Sequence, residues 1–252
     1  MSIKTATLNG VATIEIARPE KKNAITGTMY HAMAAALDAA KADGAVRAVL
    51  ITGQPGIFTS GNDIEDFMQR PPGEPPALVF MRALMGCDKP VIAAVTGAAI
   101  GIGTTLLLHC DFVYVSDEAR LAMPFVSLGL VPEFASSLIV PQLMGNVRAA
   151  EKLLLGDPFT GADAVECGIA NAVLPAGEVV AHARRIAERF NALPPGAVRD
   201  SKTLMRSAGA KLAAETIATE GEVFGRRLRS PEAQEAFSAF FQKRRPDFST
   251  FS

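Results

Sequence analysis

The chain has 252 residues, 49% of them hydrophobic and 20% charged, enough to bury a sizeable core without disulfides or a metal to staple it. Lys and Arg number 25 against 26 Asp and Glu, a formal charge of -1, and no basic run tracks a phosphate backbone, so nucleic acid is excluded as an expected partner. Cys87, Cys110 and Cys167 are odd in number, widely spaced and set among apolar residues, which reads as reduced core thiols of a cytoplasmic protein.

The start, MSIKTATLNGVATIEIARPE, alternates like a strand and has neither the apolar run of a secretion signal nor the Arg/Ser bias of an organelle-targeting peptide. Residues 3 to 17 predict a hairpin around Asn9-Gly10. From Thr26 to Asp43, Met29, Met33, Ala36, Leu37 and Ala40 recur at helical spacing, and Gly44 stops the helix before the buried strand RAVLIT. A proline-rich loop from Gln69 to Ala77 follows, then a short helix through Met85, the strand VIAAV, a helix from about Gly101 to Cys110, and the strand FVYVS. Pro90 to His109 approaches membrane-spanning length, but glycines at 97, 101 and 103 divide it into strand, turn and helix, so no membrane partner is expected. Regular alternation of buried strands with helices predicts an α/β fold with parallel pairing.

After Pro194-Pro195-Gly196 the strands cease, and VRDSKTLMRSA, LAAETIATEGEVFGRRL and PEAQEAFSAFFQKR read as helices. The expected division is therefore a core at 1–195 and a helical region at 196–252. In the last helix Ala236, Phe237, Phe240 and Phe241 share one face, expected to lie in a core or a subunit interface.

Two glycine-rich segments carry the chemistry. TGAAIGIG, Thr96 to Gly103, imitates a dinucleotide-binding loop, but two strand-bearing cycles precede it. Neither Tyr30 nor Tyr114 has a lysine four residues on, where Ala34 and Glu118 stand, so the proton shuttle of that hydride chemistry is missing. The other use of such glycines is to bring backbone N–H groups against a developing oxyanion at a helix N-terminus. A second donor is then needed, and GIFTSGNDI, Gly56 to Ile64, is the candidate; taken alone it reads as a turn in which Asn62 or Asp63 caps IEDFM. His31, His109 and His182 are scattered without metal-ligand spacing, so no metal is expected. Asp111 reads as a turn or capping acid, and Asp63 and Glu65 as solvated charges.

Seven ordered blocks, ARPEKKNAI, VLITG, FTSGNDI, KPVIAAVTGAAIGIG, CDFVYVSDEARLAMPFVSLGLVPE, LLLGDPFTGADAVECGIANAV and FFQKRRPDF, together resemble the crotonase (enoyl-CoA hydratase/isomerase) family. The resemblance implies a crotonase-like spiral of repeated β-β-α units with a C-terminal helical oligomerisation region, assembled as a homotrimer or a dimer of trimers. It implies an acyl-CoA substrate and no cofactor beyond the CoA that the substrate carries. By position the two oxyanion donors are Asn62 and Ile102. The neighbours of CoA and substrate are Ser60, Gly61, Asp63, Ile64, Gly101 and Phe125, with Lys243 near the CoA phosphates. Where the family's hydratases place two glutamates, this chain has Thr105 and Phe125, neither of which exchanges protons with water or carbon. Glu133, in SLGLVPEFASS, matches the single glutamate of the family's Δ3,Δ2-enoyl-CoA isomerases; without the resemblance it would read as a solvated or N-capping acid. Val131, Pro132, Phe134 and Ala135 around it are expected to desolvate the carboxylate and raise its basicity. The resemblance thus implies isomerisation of a 3-enoyl-CoA to the 2-trans isomer. The alternatives are another acyl-CoA reaction of the family, such as hydration, hydrolysis or dehalogenation, and a non-catalytic acyl-CoA-binding protein of the same fold.

Overall fold

Asn9 and Gly10 both take positive φ, 49° and 71°, as a tight two-residue hairpin turn requires, and they join β1 (Ile3–Leu8) to antiparallel β2 (Val11–Ile16). The computed structural model describes residues 2–69 and 73–251. Thr26 caps α1 (Gly27–Ala42) by accepting the Met29 N–H, and Met29, Met33, Leu37 and Ala40 are buried as their spacing predicts. Tyr30 and Ala34 share that face, whereas Ala36 is only half-buried.

Next come β3 (Ala48–Thr52), β4 (Ile57–Thr59), α2 (Ile64–Met68), α3 (Pro76–Met85), β5 (Val91–Val95), β6 (Ala98–Ile100) and α4 (Ile102–Thr105). A 3-10 turn carries α4 on to His109, where the expected helix ends. β7 (Phe112–Ser116), β8 (Arg120–Ala122), α5 (Ser136–Met144), α6 (Asn146–Ala150), β9 (Phe159–Thr160), α7 (Gly161–Glu166), β10 (Ala172–Leu174) and α8 (Val179–Glu188) follow. The chain closes with α9 (Pro195–Arg227) and α10 (Pro231–Phe241).

One six-stranded sheet runs β1-β2-β3-β5-β7-β10, parallel from β2 onward, and β4-β6-β8-β9 form a second sheet. The α/β reading with parallel pairing is therefore correct. Every residue of β3 and β5 is buried, the mark of a parallel sheet covered on both faces. On one face Val11, Leu50, Ile92 and Ala94 pack with Val179, Ala183 and Ala187 of α8. By contacts the chain forms two compact units, Met1–Leu121 with Phe159–Ala208, and Ala122–Pro158 with Gly209–Ser252.

Two expectations change. The helical stretches after residue 195 are not separate up to Arg227: they form the single 33-residue α9, because Gly209 within it costs only about 1 kcal/mol relative to alanine and breaks nothing. Asp111 is more than a turn acid. It accepts the Val91 N–H (2.7 Å) and pairs with Lys202 (2.7 Å) and Arg206 (2.7 Å), so it ties the start of α9 to the strand edge. Burial pulls the Lys202 amine below its usual pKa, against the opposing pull of Asp111. The apolar stripe of α10 divides: Ala236 and Phe237 are buried with Ala233, and Phe240 (57% exposed) and Phe241 (45%) lie at the surface of the single chain, edge to face with each other. Among the described residues no helix is long and apolar enough to cross a membrane.

Leu50 is fully buried at the centre of the six-stranded sheet. Leu50→Ala should lower the unfolding free energy by about 2–5 kcal/mol in urea titration; a loss under about 1 kcal/mol would show that the sheet repacks freely there.

Candidate active site

The first glycine-rich bend is held by a segment that precedes it by some 35 residues. Asn23 has no exposed surface and sits in left-handed backbone, φ 55°. Its side chain accepts the Arg18 N–H (2.8 Å) and donates to the carbonyls of Ile57 (3.2 Å) and Phe58 (3.1 Å), clamping β4. Thr59 donates its hydroxyl to Asn23 O (2.7 Å) and accepts the Gly61 N–H (3.0 Å), while the Ser60 N–H reaches Lys22 O (3.1 Å). A short parallel bridge then joins Ile25 to Asn62: Ile25 N–H donates to Gly61 O (2.8 Å) and Asp63 N–H to Ile25 O (2.9 Å). In such a bridge the Asn62 peptide N–H faces away from Ile25. It has no acceptor among the described residues. The Asn62 side chain accepts the Tyr30 hydroxyl (2.6 Å), beside a groove of about 260 Å³ lined by Ile25, Tyr30, His31, Asn62 and Asp66.

Asp63 is not the solvated charge expected. It is 8% exposed, pairs with Arg18 at 2.6 Å and caps α2 through the Asp66 N–H. Burial works to raise its carboxyl, but the Arg18 hydrogen bond and charge and the Asp66 and Glu65 N–H groups outweigh burial and hold it below the usual carboxylate value. Ile64 opens α2 and is half-buried, as is Ser60.

At the second bend, Gly101 takes φ 58° and begins α4; its carbonyl accepts the N–H groups of Thr104 (2.9 Å) and Thr105 (3.0 Å). The N–H groups of Ile102 and Gly103 have no acceptor among the described residues, as the first turn of any helix leaves them. The two bends touch. A Cβ at Gly61 would lie 2.9 Å from Ile100 O, and one at Gly103 would lie 2.5 Å from the Thr59 methyl, so the glycines are what permits the contact. Among the described residues, this unit thus presents three unclaimed N–H groups on adjoining bends, those of Asn62, Ile102 and Gly103, the kind of donor that stabilises developing negative charge. Thr105, at the vacated hydratase position, is fully buried, and its hydroxyl has no hydrogen-bond partner among the described residues.

Glu133, Phe125 and Lys243 belong to the second unit. Phe125 is 4% exposed and its carbonyl accepts the N–H groups of Leu128 (3.0 Å) and Leu130 (2.9 Å). Lys243 is exposed, in left-handed backbone just past α10. Glu133 is 8% exposed. Its carbonyl accepts both the N–H (3.1 Å) and the hydroxyl (2.6 Å) of Ser136. The next two residues, Phe134 (φ 59°) and Ala135 (φ 56°), are left-handed without being glycine, at roughly 1–2 kcal/mol each. Glu220 of α9 spans that turn, accepting the N–H groups of Ala135 (2.6 Å) and Ser137 (3.0 Å) and the Ser137 hydroxyl.

Arg18, Asn23, Tyr30 and Glu220 escape sequence reasoning. Arg18 and Asn23 lie in a block that the family resemblance marks, but nothing local says that their partners are on β4 and at Asp63. Glu220 looks no different in sequence from Glu215 and Glu222, both of which are exposed. Among the described residues no three His, Cys, Asp or Glu side chains are grouped to hold a metal, and His182 lies edge-on against Tyr114 at 4.6 Å.

The family model for enoyl-CoA hydratase/isomerase matches residues 6–250. Human enoyl-CoA delta isomerase 2 is 36% identical over 94% of this chain, which spans only 62% of the human protein. A Bacillus subtilis protein named "Probable enoyl-CoA hydratase" is 29% identical over 94% of this chain and 95% of its own length. The structure of Pseudomonas aeruginosa OdaA superposes with a TM-score of 0.93 at 53% identity, covering 95% of this chain and 98% of that one. The chain belongs to the enoyl-CoA hydratase/isomerase family and has its crotonase fold.

Asn23→Ala strands one N–H and two carbonyls at once. It should cost about 2–4 kcal/mol in denaturant titration. A loss below about 1 kcal/mol would mean that β4 and the first bend hold without the clamp.

Proposed function

We propose that the chain isomerises a 3-enoyl-CoA to the 2-trans-enoyl-CoA with Glu133 as its one acid/base. The observation that carries this reading is the distribution of carboxylates: the positions of both hydratase glutamates hold Thr105 and Phe125, while Glu133 is present and buried. In this mechanism Glu133 removes a proton from C2, and the electrons move into the thioester as a dienolate. Its oxygen accepts hydrogen bonds from the N–H groups of Asn62 and Ile102, worth about 3 kcal/mol each to the transition state. The Glu133 carboxyl then delivers the proton to C4, leaving the double bond between C2 and C3. Water adds nowhere, so a second carboxylate is unnecessary. The human isomerase among the relatives supports this reading.

Ser60, Gly61, Asp63, Ile64, Gly101 and Phe125 neighbour the substrate in this reading, and Lys243 meets the CoA phosphates. Asp63 contributes its main chain there, since its carboxylate is committed to Arg18. No cofactor is needed beyond the substrate's own CoA. We assign 1–195 as the catalytic core of a cytoplasmic enzyme and 196–252 as its oligomerisation region, giving a homotrimer or a dimer of trimers, to be read by light scattering.

Glu133→Gln should keep acyl-CoA binding and lose turnover by about 100- to 10,000-fold, followed as conjugated thioester absorbance formed from a 3-enoyl-CoA. Wild-type turnover in that variant would eliminate the mechanism. Hydration of a 2-enoyl-CoA by the wild-type chain at a comparable rate would favour the hydratase reading instead.

A further inference from the structure

The second unit spends a second buried carboxylate beside the first. Glu220 is 7% exposed, and burial pushes its carboxyl up even though three hydrogen bonds from Ser137 and Ala135 pull the other way. Those bonds grip one short turn. The turn runs through Phe134 and Ala135, both left-handed and neither glycine, and leads straight out of Glu133. It has no cap of its own, because Ala135 stands at the N-cap of α5 and offers no side-chain acceptor. Ser136, the next hydroxyl, points back to the Glu133 carbonyl. The acceptor for the Ala135 N–H therefore comes from 85 residues away. Between that N–H and the Glu133 Cα lie only backbone torsions that these contacts fix, so Glu220 and Ser136 together set where the Glu133 side chain begins.

We propose that Glu220 is a positioning residue for the Glu133 base, acting through the Phe134–Ala135 turn; the inference rests on Glu133 being that base. A carboxylate is required because both of its oxygens accept, Oε2 from Ala135 and Oε1 from Ser137. A glutamine has the same shape but a single acceptor, and its amide NH2 would face a backbone N–H. Displacing a catalytic group by about 1 Å costs on the order of 100-fold in rate, so a small relaxation of the turn is enough to be read in turnover.

The test compares Glu220→Gln, Glu220→Asp and Glu133→Gln in the full chain, with 3-enoyl-CoA as substrate. Glu220→Gln should lower kcat by about 10- to 100-fold while KM and the Kd for a saturated acyl-CoA stay within about twofold. Glu220→Asp, shorter but with two acceptor oxygens, should retain more kcat than the isosteric glutamine. A packing role predicts the reverse order. Wild-type kcat in Glu220→Gln, or a kcat loss that follows the folded fraction alone, overturns the inference while an inactive Glu133→Gln leaves the base assignment standing. Full activity in Glu133→Gln removes the base assignment and the positioning role with it. If Glu220→Gln does not fold, Ser137→Ala decides, since it deletes one of the contacts and leaves both N–H bonds: a kcat loss of about threefold or more at unchanged KM supports the inference, and wild-type kcat overturns it.

Discussion

A buried backbone N–H left without a partner costs about 1–3 kcal/mol, and among the described residues the N–H groups of half-buried Asn62 and buried Ile102 in the first unit have no acceptor. Their presence is tolerable only if the peptides that bear them are held by everything else. At Ile102 the helix start supplies the hold for nothing, since a first turn has unpaired donors by construction and Gly101 fixes its direction. At Asn62 there is no helix to do this. The Ile25 bridge, the Thr59 hydroxyl and the Asn23 clamp take its place, each satisfying a neighbouring group while leaving the Asn62 N–H alone.

The second unit solves a different problem with the same means. A glutamate side chain has three torsions of its own, so aiming its carboxylate requires that the backbone beneath it not move as well. Two left-handed residues after Glu133 make a sharp turn that unaided sequence would not keep. Glu220 and Ser136 over-determine it. The strain of that turn and the desolvation of Glu220 are both costs to stability, borne by α9 and α5 where they meet.

Local pattern reveals what is local. The Asn9-Gly10 turn, the inward face of α1 and the fully apolar β3 and β5 are legible because hairpin, helix and covered strand each impose a short period on the residues. The glycines of both bends are legible as glycines, although what they exclude, Thr59 and the Ile100 carbonyl, is known only once the bends meet. Glu133 is legible through the family resemblance alone; its turn is not, since Phe and Ala carry no left-handed signal. Polar side chains with distant partners are the blind spot. Asp63 reads as a solvated charge and Asp111 as a turn or capping acid until Arg18, Lys202 and Arg206 arrive from elsewhere in the chain. On α10 the apolar stripe divides into buried Ala236 and Phe237 and exposed Phe240 and Phe241, a division that the helical period alone does not reveal.

Assigning the oxyanion contacts to main chain and the proton transfer to side chain divides the chemistry into a part that substitution cannot reach and a part that it easily can. Any residue but proline supplies an N–H at 62 or 102, so those donors persist through almost any change of side chain. The carboxylates are free to come and go around them. Here the Thr105 hydroxyl is buried with no hydrogen-bond partner among the described residues, and Phe125 is buried hydrocarbon. In the proposed mechanism neither residue brings a charge to the thioester. A lone base gains from that absence, because a neighbouring carboxylate would raise the cost of forming an enolate and compete for the same proton. In the proposed mechanism, the absence of the hydratase pair is a condition for one glutamate to carry the proton both ways.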